Sequence, residues 1–315
     1  MTQRPEKLLQ RYHAWERNTD KLDFQWRARL LQSLWREEQE LAAGEYRGKV
    51  RGARLVMPEA KDTLVNYLTP RIKEVVRDEV EDPVRAQGKL YGRPRIYDNL
   101  LSSQPLCFNL FGELTSDLEL ATKALGDMSH GRINRVVAID FEYSPGRGDE
   151  RYTGDRSAFD VYIRYESPEG GKGFAGIEVK YHEGLDDPVA DHRTRYDEVA
   201  SEMGCFIKEQ MPRLKERPLQ QVWRDHLLVG AHQLVDGFED AFFVFLYPEG
   251  NTACAQAVKQ YSQCLSNNNS FQGWTLENLV NSLAAHSSAQ WIQDLHHRYL
   301  DFSRLNLGRR PGEKS

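Results

Sequence analysis

The stretch from Phe159 to Glu183 constrains the fold more than any other part of the chain. Apolar and polar residues alternate strictly on both sides of the segment Glu166–Gly173, which contains one proline and three glycines. Strict alternation is typical of half-buried strands with one apolar and one polar face, and proline and glycine are typical of the turn between them. The stretch therefore predicts an antiparallel β-hairpin.

The polar face of this hairpin combines two acidic residues with a lysine. Glu178 and Lys180 are two positions apart, so both side chains point to the same side of their strand. If Tyr165 pairs with Gly173 across the turn, Asp160 lies directly opposite Glu178. Two carboxylates at that distance repel each other unless a cation lies between them. Hard divalent ions prefer oxygen ligands, so the pattern indicates a Mg²⁺ site.

Asp160 on one strand and Glu178-Val179-Lys180 on the next resemble the signature of the PD-(D/E)XK nuclease superfamily. A second Glu-x-Lys, within residues 58–61, lacks alternating apolar neighbours and a preceding acidic strand, so we discard it. The resemblance implies a nuclease that hydrolyses phosphodiester bonds, with DNA as the expected substrate. It also implies that Asp160, Glu178 and the Val179 carbonyl hold Mg²⁺, or Mn²⁺ as a substitute, and that Lys180 positions or helps to deprotonate the attacking water.

Two alternatives to this interpretation stay open at the level of sequence. The acidic pair and the lysine are also compatible with an ordinary ion pair on a solvated strand face. A nuclease fold is also compatible with a catalytically inactive module that binds nucleic acid or serves in assembly. The complete set of two acidic residues and one lysine favours the enzyme.

The elements around the hairpin fit the same superfamily. An apolar helical stretch at 102–125 and a strand at 135–143 precede the hairpin, and a helix at 219–234 and an apolar strand at 241–247 follow it. This order predicts an α/β fold of the restriction-endonuclease-like αβββαβ type, with a mixed central sheet of about four strands flanked by helices. The last strand should run parallel to its neighbour, because a helix connects the two.

The chain divides into three parts in this interpretation. Residues 102–250 form the catalytic core. Residues 1–101 form a helical N-terminal extension with basic connectors, and residues 251–315 form a C-terminal helical region that ends in a basic tail.

Further metal ligands are expected from the elements before the hairpin. Glu113 is embedded in the apolar helical stretch, and its position resembles that of a superfamily glutamate that completes the metal site. The alternatives are an exposed helix glutamate and the use of Glu119 instead. Asp140 and Glu142, on the first strand, either extend the metal site or lie in water at the strand end, and the second alternative is favoured, more so for Glu142.

A nucleic-acid-binding chain with a net charge of −5 must concentrate its positive charge locally. The segment 46–55 carries four basic residues with two glycines among them, and it is either a phosphate-contacting arm or a solvated connector. Further candidates are Arg156, in the polar loop before Asp160, and Gln221 and Arg224, on the helix after the motif strand. The predicted nucleic-acid contacts are Arg47, Lys49, Arg51, Arg54, Arg156, Gln221 and Arg224.

Composition limits the class of protein and its environment. At 28% charged residues, and without an apolar run long enough to cross a bilayer or an apolar leader, the chain is expected to be a soluble cytoplasmic protein without a membrane partner. Its four cysteines show no CxxC and no zinc spacing, so reduced thiols are expected. A homodimer or a larger complex is compatible with these features.

Overall fold

The structure, a computed structural model, describes residues 4–16 and 20–306 of the chain. The strands are β1 Ala43–Tyr46, β2 Lys49–Leu55, β3 Arg135–Tyr143, β4 Phe159–Glu166, β5 Lys172–Val179, β6 Asp240–Tyr247 and β7 Phe271–Thr275. The α-helices are α1 Glu6–Arg11, α2 Asp23–Glu38, α3 Glu59–Thr63, α4 Pro70–Val76, α5 Arg95–Asp98, α6 Ser103–Phe111, α7 Leu118–Met128, α8 Thr194–Met203, α9 Met211–Leu214, α10 Gln220–Asp236, α11 Thr252–Ser262, α12 Leu276–His286 and α13 Gln290–Tyr299. Short 3₁₀ turns lie at Glu113–Thr115, Lys208–Gln210 and Phe302–Asn306, and a π-helical turn lies at Arg77–Glu81.

The central sheet has the strand order β3-β4-β5-β6-β7. β3, β4 and β5 are antiparallel to one another, whereas β6 pairs with β5 and β7 pairs with β6 in parallel. The predicted mixed α/β sheet and its parallel later strand are confirmed. The sheet has one strand more than expected, because the C-terminal region is not purely helical. The sequence does not indicate β7, since this strand is short, follows a polar run and lacks apolar alternation.

The register of the hairpin agrees with the sequence argument. Tyr165 pairs with Gly173, and the pairing continues without a shift to Val161 opposite Ile177. The next position in the same register places Asp160 beside Glu178. A slip of one residue would reverse the two faces of β5, and the apolar core prevents it.

Helices cover both faces of the sheet. On one face, α6, α7, α12 and α13 pack against side chains such as Phe141, Ile177 and Val244. On the other face, α8, α10 and α11 pack against Phe174, Phe243 and their neighbours. β5 is buried from Gly173 to Val179, and Glu178 and Lys180 are only 8% exposed. The expectation of a half-buried strand is therefore wrong for β5, because α10 covers its polar face.

β3 contains an irregularity that the alternation of its sequence conceals. Val136 pairs with Tyr165 and Ala138 with Arg164, so Val137 is an extra residue in the ladder. Val137 is 40% exposed, although strict alternation from Ile139 and Phe141 would bury it. A bulge of this kind locally changes the side to which side chains point.

The apolar stretch from 102 to 125 forms two helices instead of one. α6 ends at Phe111, a 3₁₀ turn follows, and α7 begins after Asp117, whose side chain accepts a hydrogen bond from the Leu120 N–H. This N-cap supplies a partner to an otherwise free backbone donor and fixes a new helix start. The single-helix prediction is therefore wrong, and Glu113 falls in the break.

The outer parts of the chain also differ in detail from the expectation. The basic segment 46–55 forms most of a two-stranded hairpin, β1–β2, so the N-terminal extension is not purely helical. The discarded Glu-x-Lys lies at the start of α3 and is therefore not on a strand. Residues 307–315, which include the end of the predicted basic tail, lie outside the described residues. Within the described part of the chain, no helix is long and apolar enough to cross a membrane.

A buried polar cluster joins the N-terminal and C-terminal helices. The Arg298 guanidinium is fully buried, donates to the Gln32 and Asn66 side chains, and lies over the Trp35 ring at 3.8 Å from its centroid. The Gln32 amide in turn donates to the Tyr181 hydroxyl, just beyond β5. These contacts connect α2 and α13 to the segment just after β5, next to Glu178 and Lys180.

Candidate active site

The candidate site begins with an acidic pair on β4 and β5. Asp160 lies at the start of β4, beside Glu178 near the end of β5. The Val179 N–H donates to Asp160 Oδ2 over 2.9 Å, which fixes the Asp160 carboxylate against the backbone of the motif strand. Burial, followed by the charge of Glu178, raises the pKa of Asp160 well above its ordinary value. The register and this hydrogen bond place the two carboxylates side by side, where their charges repel.

Glu178, Lys180 and Gln221 form a closed set of contacts. Lys180 Nζ lies 2.7 Å from Glu178 Oε1. Gln221 Nε2 donates to the same oxygen over 2.7 Å, and Lys180 Nζ donates to Gln221 Oε1 over 3.1 Å. The amide therefore bridges the acid and the base of the motif and holds each in one orientation.

Lys180 is a charged group in this arrangement. Burial alone would lower the pKa of its ammonium, but Glu178 and then Glu183 raise it, and the pKa ends above its ordinary value. A lysine with a raised pKa keeps its proton at neutral pH. Lys180 therefore acts as a hydrogen-bond donor and a fixed positive charge, and this protonation state does not favour the predicted role in deprotonating water.

Asp225 is a site residue that the sequence argument missed. It lies one helical turn after Gln221 on α10, and it is 7% exposed. Burial and then the charge of Glu178 raise the pKa of Asp225 well above its ordinary value. The spacing i, i+4 between Gln221 and Asp225 places both on one helix face, and that spacing was the available signal.

Glu142 flanks the site from the β3 side, and its side chain is only 12% exposed, so the expectation that it lies in water is wrong. Its charge is among the causes that raise the pKa of Asp160, and its own carboxylate accepts hydrogen bonds from Leu90 N–H and from Arg147. Its backbone lies in the left-handed region, with φ of 47°, which is uncommon for a residue with a side chain. Asp140 instead faces solvent and lies 3.8 Å from Arg164.

Glu113 lies away from these groups. The Thr69 hydroxyl donates to its carboxylate, and it follows the C-terminal end of α6. The opposite end of α6 faces the site, since the Ser103 N–H donates to Glu183. The length of α6, at about 1.5 Å per residue, separates the two ends by more than 10 Å. No contact among the described residues joins Glu113 to Asp160, so its predicted place in the metal site is not supported.

A cavity of about 380 Å³ opens beside Glu178. Gln221, Arg224 and Asp225 of α10 line one wall, and Arg156 and Ser157 line another. Arg156 is exposed at this cavity, and its contact with nucleic acid stays a prediction.

Arg224 also faces the cavity, but its charge is already paired. Its guanidinium donates to Asp155 Oδ2 and to the Ser157 hydroxyl. Asp155 also accepts a hydrogen bond from Tyr196. Arg224 therefore anchors the loop before β4 to α10, a role that the sequence did not suggest.

The four basic residues of the β1–β2 hairpin divide into two pairs. Arg51 contacts Glu16 at 3.2 Å, and Arg54 contacts Asp98 at 2.8 Å. Arg47 and Lys49 are exposed near the turn. Arg47 and Lys49 are therefore more available to contact a phosphate than Arg51 and Arg54, whose charges are paired with acidic residues.

The oxygen donors at the acidic pair suit a hard divalent cation. Within residues 4–16 and 20–306, no hydrogen bond engages Asp160 Oδ1 or Glu178 Oε2, so each carboxylate keeps one oxygen for a ligand. The predicted set consists of two carboxylates and the Val179 carbonyl. In the same described ranges, no group of three or more His, Cys, Asp or Glu residues is arranged to hold a metal ion.

The fold and the site first define a class: an α/β protein with a mixed sheet that carries an acidic pair and a lysine on neighbouring antiparallel strands, as restriction-endonuclease-like nucleases do. The chain belongs to the PD-(D/E)XK nuclease superfamily, since the family model of that description matches residues 18–301. Comparison with curated proteins and with solved structures gives no match. Membership implies a nuclease, and nucleases of this superfamily generally use divalent metal ions.

Proposed function

We propose that the protein is a Mg²⁺-dependent nuclease that hydrolyses phosphodiester bonds in DNA, with Mn²⁺ as a substitute ion. The observation that carries the proposal is the fixed arrangement of Asp160, Glu178 and Lys180 on paired strands of a superfamily member. Glu178 is only 8% exposed, and a buried carboxylate needs a compensating charge, so the acidic pair fits a cation site better than a solvated strand face.

Each motif residue has a distinct part in the proposed reaction. Asp160, Glu178 and the Val179 carbonyl hold the ion. When bound, the ion polarises the phosphate and activates water. Lys180, kept charged by Glu178, donates a hydrogen bond to the attacking water or to a phosphate oxygen and stabilises negative charge as it develops. Gln221 holds the Lys180 ammonium and the Glu178 carboxylate in fixed positions relative to each other.

The test compares substrates and ions in one assay. Circular single-stranded and double-stranded DNA and the corresponding RNAs are incubated with Mg²⁺, Mn²⁺, Ca²⁺ or EDTA. We expect cleavage of DNA with Mg²⁺ or Mn²⁺, and binding without cleavage in Ca²⁺, which tolerates looser coordination. Circular substrates separate internal cutting from digestion of ends. Cleavage in EDTA would contradict a metal-dependent reaction, and cleavage of RNA alone would change the substrate.

Matched variants connect the activity to the motif. Glu178→Ala and Lys180→Ala should each abolish cleavage. The discarded Glu-x-Lys supplies the controls, because Glu59→Ala and Lys61→Ala make the same substitutions on α3. Circular dichroism and thermal unfolding check that each variant folds. Full activity of a folded Glu178→Ala or Lys180→Ala protein would refute the assignment, and binding without cleavage by the wild type would favour a catalytically inactive module.

A further inference from the structure

The turn that follows Lys180 is held by contacts from distant segments of the chain. β5 ends at Val179, and the Lys180 N–H makes one further hydrogen bond to the neighbouring strand, to the Leu246 carbonyl over 2.8 Å. The chain then leaves the sheet. Because the ladder between β5 and β6 ends here, the direction of the Lys180 side chain depends on how the next three residues are fixed.

The carboxylate of Glu183 closes this turn from within. Its Oε2 atom accepts the Tyr181 N–H over 2.8 Å, and its Oε1 atom accepts the Ser103 N–H over 3.2 Å. Ser103 is the first residue of α6, whose N-terminal N–H groups carry a partial positive charge that favours a carboxylate. Glu183 therefore connects the turn both to its own backbone and to α6.

Asn251 holds the same turn from the outside. Its side chain is fully buried, and its Nδ2 atom donates to the Tyr181 carbonyl over 3.0 Å and to the Glu183 carbonyl over 2.9 Å. Its Oδ1 atom accepts the Cys254 N–H over 3.3 Å, which makes Asn251 the N-cap of α11. Both amide hydrogens and the amide oxygen are in use, so one rotamer of Asn251 satisfies three backbone groups.

Capping of α11 requires only the oxygen of the Asn251 amide. Serine and aspartate cap helices about as well as asparagine does, so the cap alone does not explain an amide at this position. The two donated hydrogen bonds do explain it, because neither serine nor aspartate has two N–H donors beside an acceptor. The residue type at position 251 therefore suits the turn after Lys180 as much as the helix.

We propose that Asn251 is a positioning residue for the nuclease reaction, because its two hydrogen bonds fix the backbone that follows Lys180. This inference rests on the proposed nuclease function. Asn251 does not belong to the described residues that line the cavity beside Glu178, so it acts on the reaction through Lys180 and not through the substrate. Without the amide, the Tyr181 and Glu183 carbonyls lose a donor, the turn relaxes, and the Lys180 ammonium moves from its place beside Glu178.

The test replaces Asn251 by serine. Serine keeps an oxygen that can cap α11, but its single hydroxyl hydrogen cannot serve both carbonyls. We expect the single-turnover rate of DNA cleavage to fall by about 10- to 100-fold, because a displacement of about 1 Å at a catalytic group can cost about 100-fold. The Kd for DNA in Ca²⁺ should stay unchanged. Asp117→Ser is the matched control and should cleave at the wild-type rate, since Asp117 caps α7 by the same type of hydrogen bond.

A second measurement observes Lys180 without nucleic acid. Lys180 is only 8% exposed and its ammonium donates to Gln221, so the ammonium hydrogens should exchange slowly enough to give an NMR signal in protein labelled with ¹⁵N-lysine. Lys180→Ala identifies this signal by its absence. We expect the signal to shift or broaden in Asn251→Ser and to stay unchanged in Asp117→Ser. A residue that only stabilised the fold would change Tm and leave the signal of the folded protein as it is.

Glu183→Gln keeps the test decisive if Asn251→Ser does not fold. This substitution removes one of the two carboxylate acceptors in the same turn and leaves α11 unchanged. We expect a smaller loss of rate and a shift of the same NMR signal. In that case a wild-type rate and a wild-type signal in Glu183→Gln would overturn the inference, because the turn would then have no effect on Lys180.

The two proposals fail in different ways. A folded Asn251→Ser protein with the wild-type rate and the wild-type Lys180 signal would overturn the inference and leave the nuclease function intact. A raised Kd at an unchanged rate would also overturn it. If the Lys180 signal shifts in Asn251→Ser while the wild type cleaves no nucleic acid under any condition, the positioning of Lys180 stands and the nuclease function does not.

Discussion

Replacing Gln221 by alanine tests whether this side chain positions the catalytic groups or contacts nucleic acid. In the structure both ends of its amide are in use, because Nε2 donates to Glu178 and Oε1 accepts from Lys180. A side chain with both ends engaged contributes little to substrate binding. We therefore expect Gln221→Ala to lower kcat and to leave the Kd for the substrate almost unchanged.

The size of the effect follows from the two hydrogen bonds. Each joins a neutral amide to a charged group, a type that contributes about 1.5–3 kcal/mol. Water that enters the space left by the side chain would replace part of this stabilisation. We therefore expect the transition state to lose the free energy of about one such hydrogen bond. Since about 1.4 kcal/mol corresponds to tenfold in rate, kcat should fall by about 10- to 100-fold. Glu178→Ala should cost far more, because it removes a proposed metal ligand.

The assay is single-turnover cleavage of a labelled DNA with excess enzyme, together with substrate binding in Ca²⁺. Gln233→Ala is the matched control, since it makes the same substitution on α10 at a residue whose side chain makes no described hydrogen bond. An unchanged kcat in Gln221→Ala would refute the positioning argument. A raised Kd with normal kcat would instead restore the prediction that Gln221 contacts nucleic acid.

Three other perturbations have definite expectations. Substituting Arg47 and Lys49 together by alanine should flatten the salt dependence of DNA binding by about one unit of slope per lost phosphate contact. Arg51→Ala is the control, because it removes an ion pair with Glu16 and should leave the slope unchanged. Equal slopes for the double variant and the wild type would make the hairpin turn a solvated connector. Burial lowers the pKa of His226 to about 3, below the ordinary 6.5, so the unfolded chain binds a proton that the folded chain excludes between these values. His226 alone should therefore lower the free energy of unfolding by about 1.4 kcal/mol per pH unit as pH drops below about 6.5, and this contribution should be absent from the pH dependence of urea unfolding of His226→Gln; an identical pH dependence in wild type and variant would contradict the assignment. Arg298→Met should lower the free energy of unfolding in urea by about 2–6 kcal/mol, because it leaves the buried Gln32 and Asn66 oxygens without their donor, at about 1–3 kcal/mol each; a loss below about 1 kcal/mol would show that the cluster is not important for stability.

The hairpin shows what periodicity alone can predict. Alternation and turn composition are local properties, and they predict both strands and the register that places Asp160 beside Glu178. The αβββαβ order follows in the same way from the helical and strand patterns around it. The sequence therefore determined the superfamily core, the motif residues and their mutual position on β4 and β5.

Other features depend on how distant segments pack. Glu113 has the sequence context of a metal ligand, but α6 ends before it, and its carboxylate contacts Thr69 instead of Asp160. β7 is too short and too polar to be recognised, and it forms because the parallel edge of β6 is available. Both outcomes depend on tertiary neighbours that override local pattern.

The polar face of β5 is the point at which tertiary structure decides the chemistry. By sequence, Glu178 and Lys180 lie on the polar side of a half-buried strand, and nothing in the alternation reveals that α10 covers that side. Once covered, the two charges need partners, and Gln221 supplies one while Asp225 adds a further carboxylate. Residues more than forty positions apart in the chain meet here because side-chain direction is a local property, whereas burial and charge compensation depend on which helix packs against the strand.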